Sequence, residues 1–238
     1  MSLLIPGTNS IKDTGYDVAN SCRFDANSTD SLSRTPSSAG NQKTFTISVW
    51  FKVSKLTFTD SGSGTSRLII GQHASNYFRI MLEGGNNGTL RCYDDNGGFS
   101  FRTNRLFRDV SAWYHLVLAM DTTQSTASDR AKLYINGVQE TSLSTATYPS
   151  QNNDLNFNNT SIHSIGRSTS YGGYDYYDGY MTEIVFIDGQ QLDATSFGKF
   201  DSATSNVWVP TDVSGLTFGT NGFYLDFENA SNLGADVS

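Results

Sequence analysis

The chain has 238 residues, enough to bury a large single core, and only 16% of them are charged. Its 22 glycines and 13% aromatic content describe a turn-rich β protein and exclude a disordered one. The net charge of −7, with no basic stripe, excludes nucleic acid and anionic membrane surfaces as partners.

Taken in chain order, residues 1–20 carry Pro6, Gly7 and Gly15 among few apolar positions, and they read as an extended arm. Leu3 to Ile5 is too short an apolar run, and lacks the charged flank, to be a signal peptide. No stretch approaches the ~20 apolar residues of a membrane helix, so a soluble chain is expected. Residues 21–24 alternate as a first short strand, and 28–41 read as a polar loop around Leu32 and Pro36. Residues 44–53 have a clean period of two. Phe45, Ile47, Val49 and Phe51 share one face; Thr46, Ser48, Trp50 and Lys52 share the other. A tryptophan on the polar face predicts that this face is partly covered.

Leu68 to Gly71 reads as a buried strand. Residues 77–82 and 89–93 flank a Gly/Asn-rich turn, as a hairpin should. Residues 99–102 give another short strand. Then comes an aromatic-led apolar strand, 113–121, a polar loop, and 131–139, which contains Tyr134-Ile135-Asn136-Gly137-Val138. Asn-Gly between alternating residues predicts a tight hairpin turn. Residues 145–159 read as a long surface loop, 161–165 as a short strand, 181–187 as a strongly apolar strand, and 193–200 as one short helix capped by Asp193 or Thr195. Residues 222–227 read as the last strand, and 229–238 as the start of a linker or tail. About a dozen short strands without an amphipathic helix predict an all-β fold, a two-sheet antiparallel sandwich spanning 21–228.

The chemistry is sparse. Cys22 and Cys92 sit in alternating contexts and read as two buried thiols, with the single possible disulfide, which needs an oxidising compartment, as the alternative. His73, His115 and His163 are isolated from one another and lack zinc-ligand spacing, so His115 reads as a core or sheet-face histidine. A retaining glycosidase on such a sheet needs carboxylates ~5–5.5 Å apart, yet the 181–187 strand offers only Glu183. No Gly-x-Ser-x-Gly nucleophile motif occurs. The chain is therefore expected not to be an enzyme. Calcium is the one cofactor left open, at Asp94, Asp95 and Asn96 or at Asp175 and Asp178, with hairpin-turn chemistry as the competing role.

The candidate ligand-binding tract is 171–180, with five tyrosines, two adjacent glycines and two aspartates. Tyrosine offers large contact area with a hydroxyl at low entropy cost. Sugar rings stack on such rings while carboxylates accept from their hydroxyls. Tyr171, Tyr174, Asp175, Tyr176, Tyr177 and Asp178 are the candidate residues. The competing expectation is that Tyr176 and Tyr180 begin the next strand and pack inward.

Several segments occur in an order that resembles the laminin-G-like, concanavalin-A-like jelly roll: 45–51, 113–121, 132–139, 165–167 and 178–186. The segments 32–41, 107–109, 186–190 and 219–227 resemble laminin-G-like modules of tailed-bacteriophage structural proteins. That resemblance implies a virion component, a tail fibre or capsid-surface protein. It would be made in the host cytoplasm, oligomeric within an assembly, and in contact with other virion proteins and a host glycan. It implies adhesion first, particle-stabilising decoration second, and glycoside hydrolysis as a remote third.

Overall fold

The computed structural model of the protein describes residues 16–55, 66–73, 76–84, 88–168, 175–201 and 207–238. Two seven-stranded antiparallel sheets face each other. The first contains β1 (Cys22–Phe24), β3 (Thr44–Val53), β8 (Tyr114–Asp121), β9 (Ala131–Ile135), β10 (Val138–Gln139), β13 (Gly179–Asp188) and β16 (Phe223–Leu225). Its order is β1-β13-β3-β8-β9-β10, with β16 also paired to β13. The second contains β2 (Leu32–Arg34), β4 (Ser66–His73), β5 (Phe78–Glu83), β6 (Thr89–Asp94), β7 (Phe99–Leu106), β11 (Leu143–Thr147) and β12 (Ile162–Ile165). Its order is β11-β7-β6-β5-β4-β12-β2. A separate ribbon pairs β14 (Gly198–Asp201) with β15 (Val207–Pro210).

The period of two fixes which residues fill the space between the sheets. Phe45, Ile47, Val49 and Phe51 point inward and are essentially unexposed. Phe45 meets Phe78 from the other sheet at 5.8 Å, and Phe157 touches both Phe78 and Phe186 at 5.1 Å. These offset and tilted contacts are the favoured geometry of aromatic pairs. Cys22 and Cys92 are free thiols, both buried in this core.

The expected cover over Trp50 is present as a second hydrophobic cluster. Trp50, Val117, Val185 and Ile187, on the outer face of the first sheet, pack against Ala194, Phe197, Trp208, Val213 and Phe218. The 193–200 segment is a correction to the sequence expectation. Only a 3-10 turn forms, at Ala194–Ser196, with the Asp193 carboxylate accepting from the Thr195 N–H. Residues 198–201 then turn into β14, whose pairing with β15 satisfies backbone groups that a longer helix would have used internally.

Two loops also differ from expectation. The 28–41 loop contributes an edge strand, β2. The 145–159 stretch is not only surface: Leu155 and Phe157 are buried and plug one end of the core. Asn158, also buried, binds the Asp188 carboxylate. That carboxylate accepts from the Asn41 N–H at 2.8 Å, from Asn158 Nδ2 at 2.8 Å and from the Asn221 N–H at 3.1 Å. Asn221 Nδ2 in turn donates to Asn158 Oδ1 at 2.9 Å. Segments 32–41, 186–190 and 219–227 thus meet at one saturated polar staple. Their shared motif has a structural explanation, because each buried donor there has its acceptor.

Candidate functional site

The outward face of the second sheet carries an arginine–tyrosine array. In β5 and β6 the inward positions are Phe78, Ile80, Leu82, Leu90 and Cys92. The opposite phase of the same alternation is Arg79, Met81 and Glu83 on β5, and Arg91 and Tyr93 on β6. Strand register sets Arg79 beside Tyr93 and Met81 beside Arg91, with Arg102 of β7 next in line. Just before β5, Tyr77 lies edge-on to Tyr93, with centroids 5.7 Å apart.

Each tyrosine carries a guanidinium. Arg79 sits 4.2 Å from the Tyr77 ring centre and Arg91 4.0 Å from that of Tyr93. Such stacking is favourable because the ring face is electron-rich. Glu83 holds the far end of the array. Its carboxylate accepts from Arg102 Nε at 2.6 Å and Nη2 at 3.0 Å, and from Arg91 Nη1 at 3.3 Å. The Arg102 contact is bidentate, the geometry that fixes a guanidinium plane. Burial pushes the Tyr93 phenol up to about 12, so its hydroxyl stays protonated.

Within the tyrosine-rich tract, residues 175–177 join this face by pairing with 166–168. The Ser168 N–H donates to Asp175 O at 3.1 Å, and the Tyr177 N–H to Gly166 O at 2.8 Å. Arg67 Nη1 donates to Tyr176 O at 3.1 Å, and Arg79 Nη1 pairs with Asp175 Oδ2 at 3.4 Å. Burial raises the Asp175 carboxyl above the usual carboxylate range, while Arg79 pulls it back down.

The predicted site residues divide into three groups. Tyr171 and Tyr174 lie outside the described residues. Asp175 and Tyr176 are half-buried at the edge of the array, with the Tyr176 ring 5.6 Å from the Arg167 guanidinium. Tyr177 and Asp178 are interior. The Tyr177 ring is wholly buried edge-on to Phe24, and its hydroxyl donates to Lys52 O at 3.1 Å. Asp178 is buried against Arg23 Nη1 at 3.0 Å. Neither face of the Tyr177 ring is open to a sugar. The strand begins at Gly179, and Tyr180 is exposed rather than inward.

Tyr77, Arg79, Arg91 and Tyr93 were not among the candidates to which the sequence pointed. The signal was present in the same alternation that defined the hairpin: the outward phase carries arginine and tyrosine. The loop aspartates have structural work. Asp94 is buried and accepts from the N–H groups of Asn96, Gly97 and Asn156 and from Asn156 Nδ2. Among the described residues, no group of three or more His, Cys, Asp or Glu side chains is placed to hold a metal ion. Glu183 is buried and accepts from the hydroxyls of Tyr16 and Tyr224, each at 2.7 Å.

Comparison with solved structures finds the same sandwich elsewhere. A Bacteroides ovatus protein with a suggested carbohydrate-binding role superposes with a TM-score of 0.59 at 16% identity, over 87% of this chain and 52% of its own. This chain thus spans about half the length of that protein. A heptameric SAP-like pentraxin from Limulus polyphemus gives 0.51 at 12% identity, over 74% of this chain and 79% of its own. No curated protein sequence matches. At these identities the likeness speaks for the fold. Residues 26–190, more than half of the chain, match the family model Laminin_G_3, described as the concanavalin A-like lectin/glucanases superfamily, and the chain belongs to that superfamily.

Proposed function

We propose that the protein is a non-catalytic binding module whose ligand is a cell-surface glycan. The observation that carries this reading is the arginine–tyrosine array with Asp175 held at its edge by Arg79. Arg91 and Arg102 side chains retain 30% and 29% of their exposure, so guanidinium donors are accessible beside aromatic rings. Guanidinium groups donate to hydroxyl and carboxylate oxygens in a fixed fork, and the stacked tyrosines, Tyr93 buried and Tyr77 half-buried, hold those guanidinium planes in place. A ligand with both hydroxyl and carboxylate groups suits the array best. Glu183, the single carboxylate of residues 181–187, is engaged by two tyrosine hydroxyls inside the fold, which supports a structural role for it.

The setting we propose is a virion surface, as a tail-fibre or capsid-surface module that touches other virion proteins and is oligomeric within the particle. This rests on the motif likeness of 32–41, 107–109, 186–190 and 219–227. A glycan array followed by titration tests the binding reading. Arg91→Ala and Tyr77→Ala are expected to weaken the strongest acidic glycan hit by tenfold or more while leaving the melting temperature within a few degrees. Unchanged affinity in both variants would remove the array from the site. Antibody labelling of intact particles tests the setting, and label at neither tail nor shell would overturn it.

A further inference from the structure

We propose a second ligand site on the opposite sheet: a tryptophan-walled pocket that takes one neutral pyranose ring. It rests on geometry independent of the arginine–tyrosine array, so either can fail alone. The cavity, of about 290 Å³, lies over the outer face of the first sheet and is bordered by Trp50, Trp113, Pro210, Thr182, Asn20 and Ser21. That volume is at the small end of the ~300–1,000 Å³ range of ligand pockets, the scale of a single ring.

The pocket is preorganised from beneath. The Trp50 ring stacks on His115 with centroids 4.6 Å apart and planes 19° apart. His115 is itself immobilised: Trp208 Nε1 donates to its Nδ1 at 2.9 Å, and its Nε2 lies 2.8 Å from Ser48 Oγ. With Nδ1 accepting, Nε2 carries the proton and donates to Ser48. Trp50 is only 8% exposed, so it serves as a fixed floor, and the half-buried Trp113 is the ring left for a ligand to stack against, with little entropy lost in so rigid a setting. The wall is also held, because Thr182 Oγ1 donates to Asn20 O at 2.7 Å and pins 18–21 to β13.

The chemistry of the lining selects the ligand class. None of the described lining side chains is charged. The polar groups open to a ligand are the amide of Asn20 and the hydroxyl of Ser21, beside two indoles, since the buried Thr182 hydroxyl is committed to Asn20 O. Neutral donors and acceptors around aromatic walls match the alternating hydroxyl and C–H surfaces of an uncharged sugar. An acidic sugar would find no counter-charge there, on a chain with a net charge of −7.

Saturation-transfer NMR and tryptophan fluorescence on the intact chain test this, with methyl glucoside, methyl galactoside and N-acetylglucosamine as neutral probes and N-acetylneuraminic acid as the acidic one. At least one neutral probe is expected to receive saturation and to shift the fluorescence. Trp113→Ala should weaken it about tenfold or more. Ser21→Trp, a change at an exposed position that fills the pocket, should abolish it, while Arg91→Ala should leave it unchanged. Absence of transfer to every neutral probe would overturn the proposal. So would loss in Trp113→Ala with full binding in Ser21→Trp, which would place the effect outside the pocket.

Discussion

Trp208 and His115, 93 residues apart in sequence, are joined by an indole N–H that donates to imidazole Nδ1 at 2.9 Å. The bond links the outer ribbon to a strand at the centre of the first sheet. It also sets the tautomer, since Nδ1 can accept only when it carries no proton. His115 is fully buried and is lowered by burial to about 3.

The pH dependence of stability follows from this. His73 and His163 are also lowered by burial, each to about 4. All three rings stay neutral in the folded state while the unfolded chain takes up protons near 6.5. The unfolded state therefore binds more protons below pH 6.5, and stability falls as pH drops from there toward the folded values. For His115 alone the loss by pH 5 is on the order of 2 kcal/mol, from ~1.36 kcal/mol per pH unit. Denaturant midpoints between pH 5 and 7.5 should fall on the acid side, and none of the three imidazole ring signals should titrate across that range. A ring titrating near 6.5 would contradict its burial.

Gly137 is where the clearest sequence signal meets the least visible layer. Asn136 and Gly137 have φ of 49° and 78°, as the tight turn expected from Asn-Gly requires. A Cβ on Gly137 would also collide with the Trp208 indole. Gly137→Ala should therefore cost more than the turn alone explains. About 1–2 kcal/mol comes from the left-handed backbone and a further ~1–3 kcal/mol from overpacking. Pairing it with Trp208→Phe separates the two. The smaller ring should recover the packing part but not the backbone part, as chemical denaturation of the single and double variants would register. Equal losses in both backgrounds would mean that Trp208 does not confine this position.

The two sheets were legible because long strands repeat with period two, as 44–53 and 77–93 do. The outer layer was less so. Ala194, Phe197, Trp208, Val213 and Phe218 are scattered singly along a polar stretch, and no period marks them. Trp50 on the polar phase was the one residue that announced a cover. Leu155 and Phe157 were hidden likewise by the asparagines around them. In the tyrosine tract, composition could not fix the phase. Which tyrosine turns inward depends on Gly166 pairing with Tyr177 and on Gly179 pairing with Val53. Those are long-range registers, and one step of slip would have exchanged Tyr176 for Tyr177.

Glu183 combines a buried carboxyl with an unusual backbone. Its φ is 48°, at the register shift where β13 slips against β3 between Thr182 and Val185. A bulge of this kind re-aims a side chain, here toward the hydroxyls of Tyr16 and Tyr224. Burial raises its carboxyl above the ordinary range. The two tyrosine hydrogen bonds oppose that shift, and the nearby Asp226 and Glu228 add to it. A raised acid costs stability as pH rises from the unfolded value through the folded one, because only the unfolded chain ionises freely in that window. Glu183→Gln keeps an oxygen acceptor for both hydroxyls and removes the ionisation. Its stability relative to the unaltered chain should therefore improve as pH is raised from about 4 and level off once Glu183 is charged in the folded state. Urea unfolding of both proteins at pH 4, 5, 6 and 7 measures the difference, and the other titrating groups, common to both, cancel. A difference that stays flat, or that turns against the glutamine with rising pH, would show that the carboxylate charge is stabilised where it sits.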